Sequence, residues 1–142
     1  MSLQSARTSR LRQVRPLSGA PTAGLAGVVE PIDRAHLSRY TLGSPELERE
    51  ILGLFVAQLP LSIEQLRFAV TDREWQVAAH TIKGSARAVG AGQVAQLALE
   101  AEQLPAVEDE AERVRILAAL EEATETVRAY VADAFGPGAP LA

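Results

Sequence analysis

The chain has no cysteine among its 142 residues, only one lysine, and few aromatic residues. The missing cysteine excludes a disulfide framework, a thiolate nucleophile and a zinc–thiolate site. No apolar run approaches the roughly 18 residues needed to span a bilayer. The sequence has no GxxxxGK[ST] loop, no kinase glycine-rich loop and no cluster of metal-binding carboxylates, so it carries no visible machinery for making a phosphoryl donor. It shows no alternating strand pattern, no internal repeat and no inward His or Glu-x-x-His pair of the kind that holds a metal or haem in a bundle.

What is present leans helical. Alanine, leucine, valine, glutamate and arginine dominate, and 47% of the residues are hydrophobic, enough for one domain with a core. The formal charge is −4. It is unevenly spread: Arg7, Arg10, Arg12 and Arg15 precede any acid, leaving ten basic against 18 acidic residues beyond them, a net of −8. That balance argues against nucleic acid as the main partner. Residues 1–29 read as a flexible basic tail followed by a Pro/Gly/Ala/Ser-rich linker, with neither a signal peptide nor a membrane anchor. The expected location is the cytoplasm.

From residue 30 the pattern is helical. A short helix is expected from Asp33 to Tyr40, capped by Asp33. Ser44 with Pro45 opens a second, along which Leu47, Ile51, Leu54, Phe55, Gln58, Leu59 and Leu66 recur at helical spacing. Pro60 is expected to kink it. Thr71-Asp72-Arg73-Glu74 is a capping box, and the helix it starts runs to Val89, stopped by Gly90. A further helix spans Gly92 to Leu104 and ends at Pro105. The acidic run from Glu108 starts the last, with Val114, Leu117, Leu120, Thr124, Val127, Val131 and Ala134 as its stripe. Short connections imply an all-α fold: an antiparallel four-helix bundle over residues 30–135, with the short first helix packed at one end and a tail over 136–142.

The segment Ala79–Ala86, AHTIKGSA, holds one of two histidines and the only lysine. Trp75, Ala79, Ile82, Ala86 and Val89 form the inward seam of its helix. His80 lies about 200° from Ile82 at roughly 100° per residue, so it faces solvent. Gln76, Lys83, Gly84 and Arg87 are its neighbours one and two turns away. An incidental surface histidine fits the periodicity equally well. Against that reading, Gly84 costs about 1 kcal/mol relative to alanine inside a helix, and it clears the space one turn above the ring. An exposed imidazole is a nucleophile near neutral pH. Lys83 would repel a metal cation and favour an anion, which suits a histidine that carries a phosphoryl group. His36 lacks any such setting and reads as structural or incidental, and Trp75 as a core anchor.

These residues resemble the histidine-containing phosphotransfer (HPt) domains of bacterial phosphorelays. The family's A-H-x-[LI]-K-G-[SG]-[AS]-x-x-[LVF]-G pattern is matched by Ala79, His80, Ile82, Lys83, Gly84, Ser85, Ala86, Val89 and Gly90. Ala98 and Glu102 fit its A-x-x-x-E on the following helix. The resemblance implies that His80 is phosphorylated on Nε2 by a receiver-domain aspartyl phosphate and passes the group to another receiver. It gives Lys83 the phosphoryl charge, Gly84 the receiver's approach, and Glu102 the ring Nδ1. A solvated acid is the bland reading of Glu102. Gln76 and Arg87 are expected at the docking rim or as plain surface residues. The docking surface is expected to include Val77 and Ala78 beside the histidine, with Leu37 close by. No cofactor is implied, since Mg²⁺ would belong to the receiver. The expected partners are receiver domains of response regulators or hybrid kinases, and the expected state is a monomer that is no enzyme by itself. Two other classes share the motif: a receiver-binding adaptor that carries no phosphate, and the phospho-accepting module of a chemotaxis-type histidine kinase. The Gly136-Pro137-Gly138-Ala139-Pro140 stretch reads as an end, so no kinase domain is expected after it.

Overall fold

Four of the five described helices begin where a side chain supplies the acceptor that their first N–H groups lack. In the computed structural model, which describes residues 30–104 and 109–136, Asp33 accepts from the His36 N–H at 3.0 Å and opens α1, Arg34–Thr41. Ser44 accepts from Leu47 N–H at 3.2 Å and opens α2, Pro45–Arg67, with Pro45 in its first turn. Thr71 accepts from Glu74 N–H at 3.0 Å and opens α3, Asp72–Val89. The Glu74 carboxylate reaches back to Val70 N–H at 2.8 Å, one residue before the cap. α4, Gly92–Glu102, has no side-chain cap. Asp109 accepts from Glu112 N–H at 3.3 Å and opens α5, Glu110–Phe135. Pro60 lies inside α2, which continues through it as one element. The expected tail over 1–29, the stop at Pro105, Glu108 and the chain beyond Gly136 lie outside the described residues.

The four long helices form a ring: α2 packs on α3 and α5, and α4 on α3 and α5, while the backbones do not approach across either diagonal. Helices that are joined by short connections and packed together must run antiparallel, so this is an up-down-up-down bundle. α1 lies against α2 and α3. The core is a single cluster that draws Leu52, Leu59, Ile63 and Leu66 from α2, Trp75 and Ile82 from α3, Val94 from α4, and Ile116 and Leu120 from α5.

The face of α2 differs from the sequence expectation. Leu47 and Leu54 are exposed, at 39% and 62%, and Leu52, Val56 and Ile63 are buried in their place. The helix packs against α1, α3 and α5, so its buried arc is wide and a single stripe misplaces its centre. In α5 the expected Val114 is exposed and Ile116 is buried. Glu48, which suits the positive end of α2 by sequence, is buried. Its carboxylate accepts from Arg34 at 3.1 Å, Thr41 Oγ1 at 3.0 Å and Ser38 Oγ at 3.3 Å, tying α1 to the bundle. A buried carboxylate survives only with such partners.

Gly90 fixes the end of α3. Its φ of +83° lies in the left-handed region, and a Cβ there would stand 2.9 Å from the Asp33 carbonyl oxygen. The approach is close because Asp33 N–H donates to the Gly90 carbonyl at 2.8 Å. Gly90→Ala therefore meets both backbone strain and a clash. It is expected to lose about 2 kcal/mol of stability, read as a lowered urea midpoint at an unchanged slope.

Candidate functional site

α3 turns its small and aromatic residues inward. Trp75 is 2% exposed, Ile82 1%, and Ala79 and Ala86 are fully buried. The opposite face carries His80, whose side chain is 68% exposed. Across from α3, α4 also buries small residues: Val94, Ala95, Ala98 and Ala101. α3 packs against α4 more extensively than any other two helices pack. Small residues on both sides let the backbones approach, which brings the end of α4 within reach of the α3 surface.

Trp75 holds that end in register. Its indole N–H donates to the Ala101 carbonyl at 2.6 Å inside the core. The Ala101 carbonyl also accepts from Leu104 N–H at 3.1 Å, so the indole adds a second bond and pins the final turn. The Arg113 guanidinium lies 5.0 Å from the centre of the Trp75 ring and donates to the Arg67 and Ala69 carbonyls at 3.2 Å, joining α5 and the α2–α3 connection to the same anchor. Glu102, the residue after Ala101, is thereby presented to α3.

Its carboxylate grips two groups there. Oε2 lies 3.0 Å from His80 Nδ1, and Oε1 lies 2.6 Å from Lys83 Nζ. The Lys83 side chain is 13% exposed and that of Glu102 26%, so Lys83 folds into the seam between α3 and α4 while the imidazole stands out of it. The hydrogen bond from Lys83 is the main cause that lowers the Glu102 pKa, partly opposed by burial; the bond to His80 lowers it further. The carboxylate is therefore ionised at neutral pH and can only accept. Nδ1 must then be the protonated nitrogen of the ring. In the neutral imidazole the lone pair sits on Nε2, which has no partner among the described residues. The result is a fixed ring that presents a nucleophilic nitrogen to solvent.

The other expected site residues fall around it. A Cβ on Gly84 would meet nothing within 4 Å, so the surface one turn above the ring is open. Gln76 and Arg87 are exposed on the same face, without a side-chain partner among the described residues. His36 lies apart on α1, edge-on to Tyr40. The expected docking surface needs correcting at two positions. Ala78 is 7% exposed and Leu37 1%, so both belong to the core, and a charge at either would be buried without a partner. Ala78 lies one turn before the inward Ile82 on α3, and Leu37 is buried in α1 along with Thr41. Val77 does border the histidine, at 49% exposed. A largely apolar groove lies between α2 and α3, lined by Ile51, Leu54, Phe55, Ile82 and Val89 among others.

Sequence reasoning missed the Lys83–Glu102 ion pair. The available signal was the position of Lys83, on the side of His80 nearer the inward Ala79 and therefore nearer α4. It also missed the Trp75–Ala101 bond, which no spacing encodes.

Comparison with protein families gives a match to the Hpt domain over residues 50–130. The chain belongs to the Hpt domain family. The match spans α3 and α4 entire, with His80, Lys83, Gly84 and Glu102 inside it. Hpt domains are phosphocarrier modules of two-component signalling that exchange phosphoryl groups with receiver domains. Comparison with curated proteins and with solved structures finds no match. Among the described residues of this Hpt domain, no group of three potential ligands is placed to hold a metal ion, and no helix is long and apolar enough to cross a membrane.

The Glu102 grip has a pH signature. Its pKa is lowered in the folded chain, so its stabilising contribution is present above the ordinary carboxylate range, near ~4.3, and is lost as pH falls through the folded value. Glu102→Ala is expected to lower the thermal midpoint modestly at neutral pH, as fits a partly exposed pair. The difference from the parent should close as the solution is acidified below about pH 4. Midpoints measured across that range check it.

Proposed function

We propose that this Hpt domain is a phosphorelay intermediate that takes a phosphoryl group onto His80 Nε2 from a receiver aspartate and delivers it to the aspartate of a second receiver. The observation that carries this reading is the exposed imidazole held by Nδ1 to an ionised Glu102. In the forward step the Nε2 lone pair forms the N–P bond, the aspartyl O–P bond breaks, and its electron pair leaves on the receiver's carboxylate. The reverse step delivers the group. The chain supplies a positioned nucleophile and Lys83 as a cation for the phosphoryl oxygens. The receiver supplies the aspartate and its Mg²⁺. Catalysis is then orientation and charge stabilisation inside the complex.

Val77, Leu54 and the α2–α3 groove form the apolar part of the proposed docking surface, with Gln76 and Arg87 at its rim. The interface is transient, so a modest size is expected. Net negative charge beyond the first 15 residues favours receivers with basic rims, and salt should slow transfer from them. The test is incubation with a panel of phosphorylated receivers, following acid-labile label. Label that moves to the chain and on to a second receiver supports the reading. A chain that binds receivers and never takes label is an adaptor, and one labelled only by an ATP-dependent kinase domain is a kinase module.

A further inference from the structure

The resting site commits Lys83 to a partner other than the phosphoryl group it would have to serve. Lys83 is the only lysine in the chain, and its Nζ is in close contact with Glu102 Oε1. The same carboxylate holds His80 through its other oxygen. One acid therefore serves two donors, and the second of them is the cation one helical turn from the reacting ring.

We propose that Glu102 sets how tightly His80 holds its phosphoryl group by competing with that group for Lys83; this rests on the reading that His80 carries the phosphate. A phosphoryl group on Nε2 brings a charge of about −2 to the ring. Lys83 must leave Oε1, or be shared, to neutralise it. If it leaves, Glu102 loses its cation and stands, still charged, on the far side of the ring from the new anion. If it stays, the phosphoryl oxygens lose a charge-assisted contact. Either way the phosphorylated state gives up an interaction that the resting state keeps, so the equilibrium leans towards giving the group away. A neutral amide at this position would still accept from Nδ1–H through its oxygen, yet would compete weakly for Lys83. Glu102 is thus a positioning residue with a second role, a counter-ion that raises the transfer tendency of its neighbour.

The lowered pKa of Glu102, caused first by Lys83, accords with this pairing. Arg87 lies on the same exposed face two turns from His80, about 10 Å along the helix, against one turn for Lys83.

The test uses phosphoramidate as the donor, so that no receiver is needed. The Nε2 lone pair attacks phosphorus, the P–N bond of phosphoramidate breaks, and ammonia leaves, so a fixed ratio of phosphoramidate to ammonium sets an equilibrium. The fraction of chain carrying phosphate, read by intact mass with His80→Gln as the blank, reports the affinity of the site for the group. Glu102→Gln is expected to shift this equilibrium roughly tenfold towards the phosphorylated chain, the effect of redirecting one charge-assisted hydrogen bond. Lys83→Met should lower the phosphorylated fraction, and in that background Glu102→Gln should have little further effect. In the parent, the Glu102 carboxyl carbon and the Lys83 ammonium resonances should both shift on phosphorylation, a readout that needs no variant to fold. An unchanged equilibrium in Glu102→Gln overturns the inference. So does a gain that persists undiminished without Lys83, because the effect would then run through Nδ1 alone. Either result in a parent that exchanges label with receivers leaves the phosphorelay reading standing. A parent whose His80 takes label from neither phosphoramidate nor any receiver brings down both.

Discussion

His80→Gln is expected to abolish phosphoryl acceptance and to leave the bundle standing. The side chain is 68% exposed and its one polar contact among the described residues is to Glu102, which keeps its ion pair with Lys83 when the imidazole is gone. No core residue loses a neighbour, so the stability change should stay within about 0.5 kcal/mol, as for ordinary surface substitutions. Helical circular dichroism and the thermal midpoint should match the parent, while label from a phosphorylated receiver falls to background. The loss should be complete because no other residue among those described offers the same setting. Among the described residues His36, the second histidine, has no lysine beside it, and the nearby Asp33 carboxylate accepts from its backbone N–H. Label that persists in the variant, or moves to His36, contradicts the assignment.

Gly84→Leu is expected to separate folding from transfer. A Cβ at Gly84 points into open space, so the helix accepts a side chain there. Alanine should stabilise the protein by up to about 1 kcal/mol, and leucine by slightly less, because glycine inside a helix carries that entropic cost. Yet the same open space is where a receiver's active site must come down on His80. A leucine side chain one turn above the ring holds the two reacting atoms apart, and a misplacement of only 1 Å costs about a hundredfold in rate. Transfer should fall by at least that factor, with binding of the receiver weakened as well. A leucine variant that is more stable than the parent and transfers at the parent rate would show that glycine is there for some other reason.

Local signals were legible in the sequence because one or two residues decide them. Asp33, Ser44 with Pro45, and Thr71 cap the helices they were expected to cap, and Gly90 ends α3 in the left-handed conformation expected of it. The inward seam of α3 and the outward His80 follow from the periodicity of one strongly amphipathic helix. Features set by neighbouring helices were not legible. α2 touches three others, so its buried arc shifted away from Leu47 and Leu54. Ala78 reads as surface when α3 is considered alone, whereas packing against neighbouring helices buries it. The position of Glu48 near the start of α2 suits the helix dipole, but its partners come from α1. Family resemblance places Glu102 beside His80, but its hold on Lys83 depends on how closely two alanine-lined helices approach. That distance is a property of the packed pair and not of either helix.

The most direct measurement is the position of the phosphate on the ring. The central claim is that Glu102 holds Nδ1 and leaves Nε2 of His80 to react. Phosphorylated chain, loaded by a receiver and examined by phosphorus and nitrogen NMR, should show one phosphohistidine with the N–P bond at Nε2 of His80 and the Nδ1 proton still bonded to Glu102. Phosphate on Nδ1, or on any residue other than His80, would contradict it.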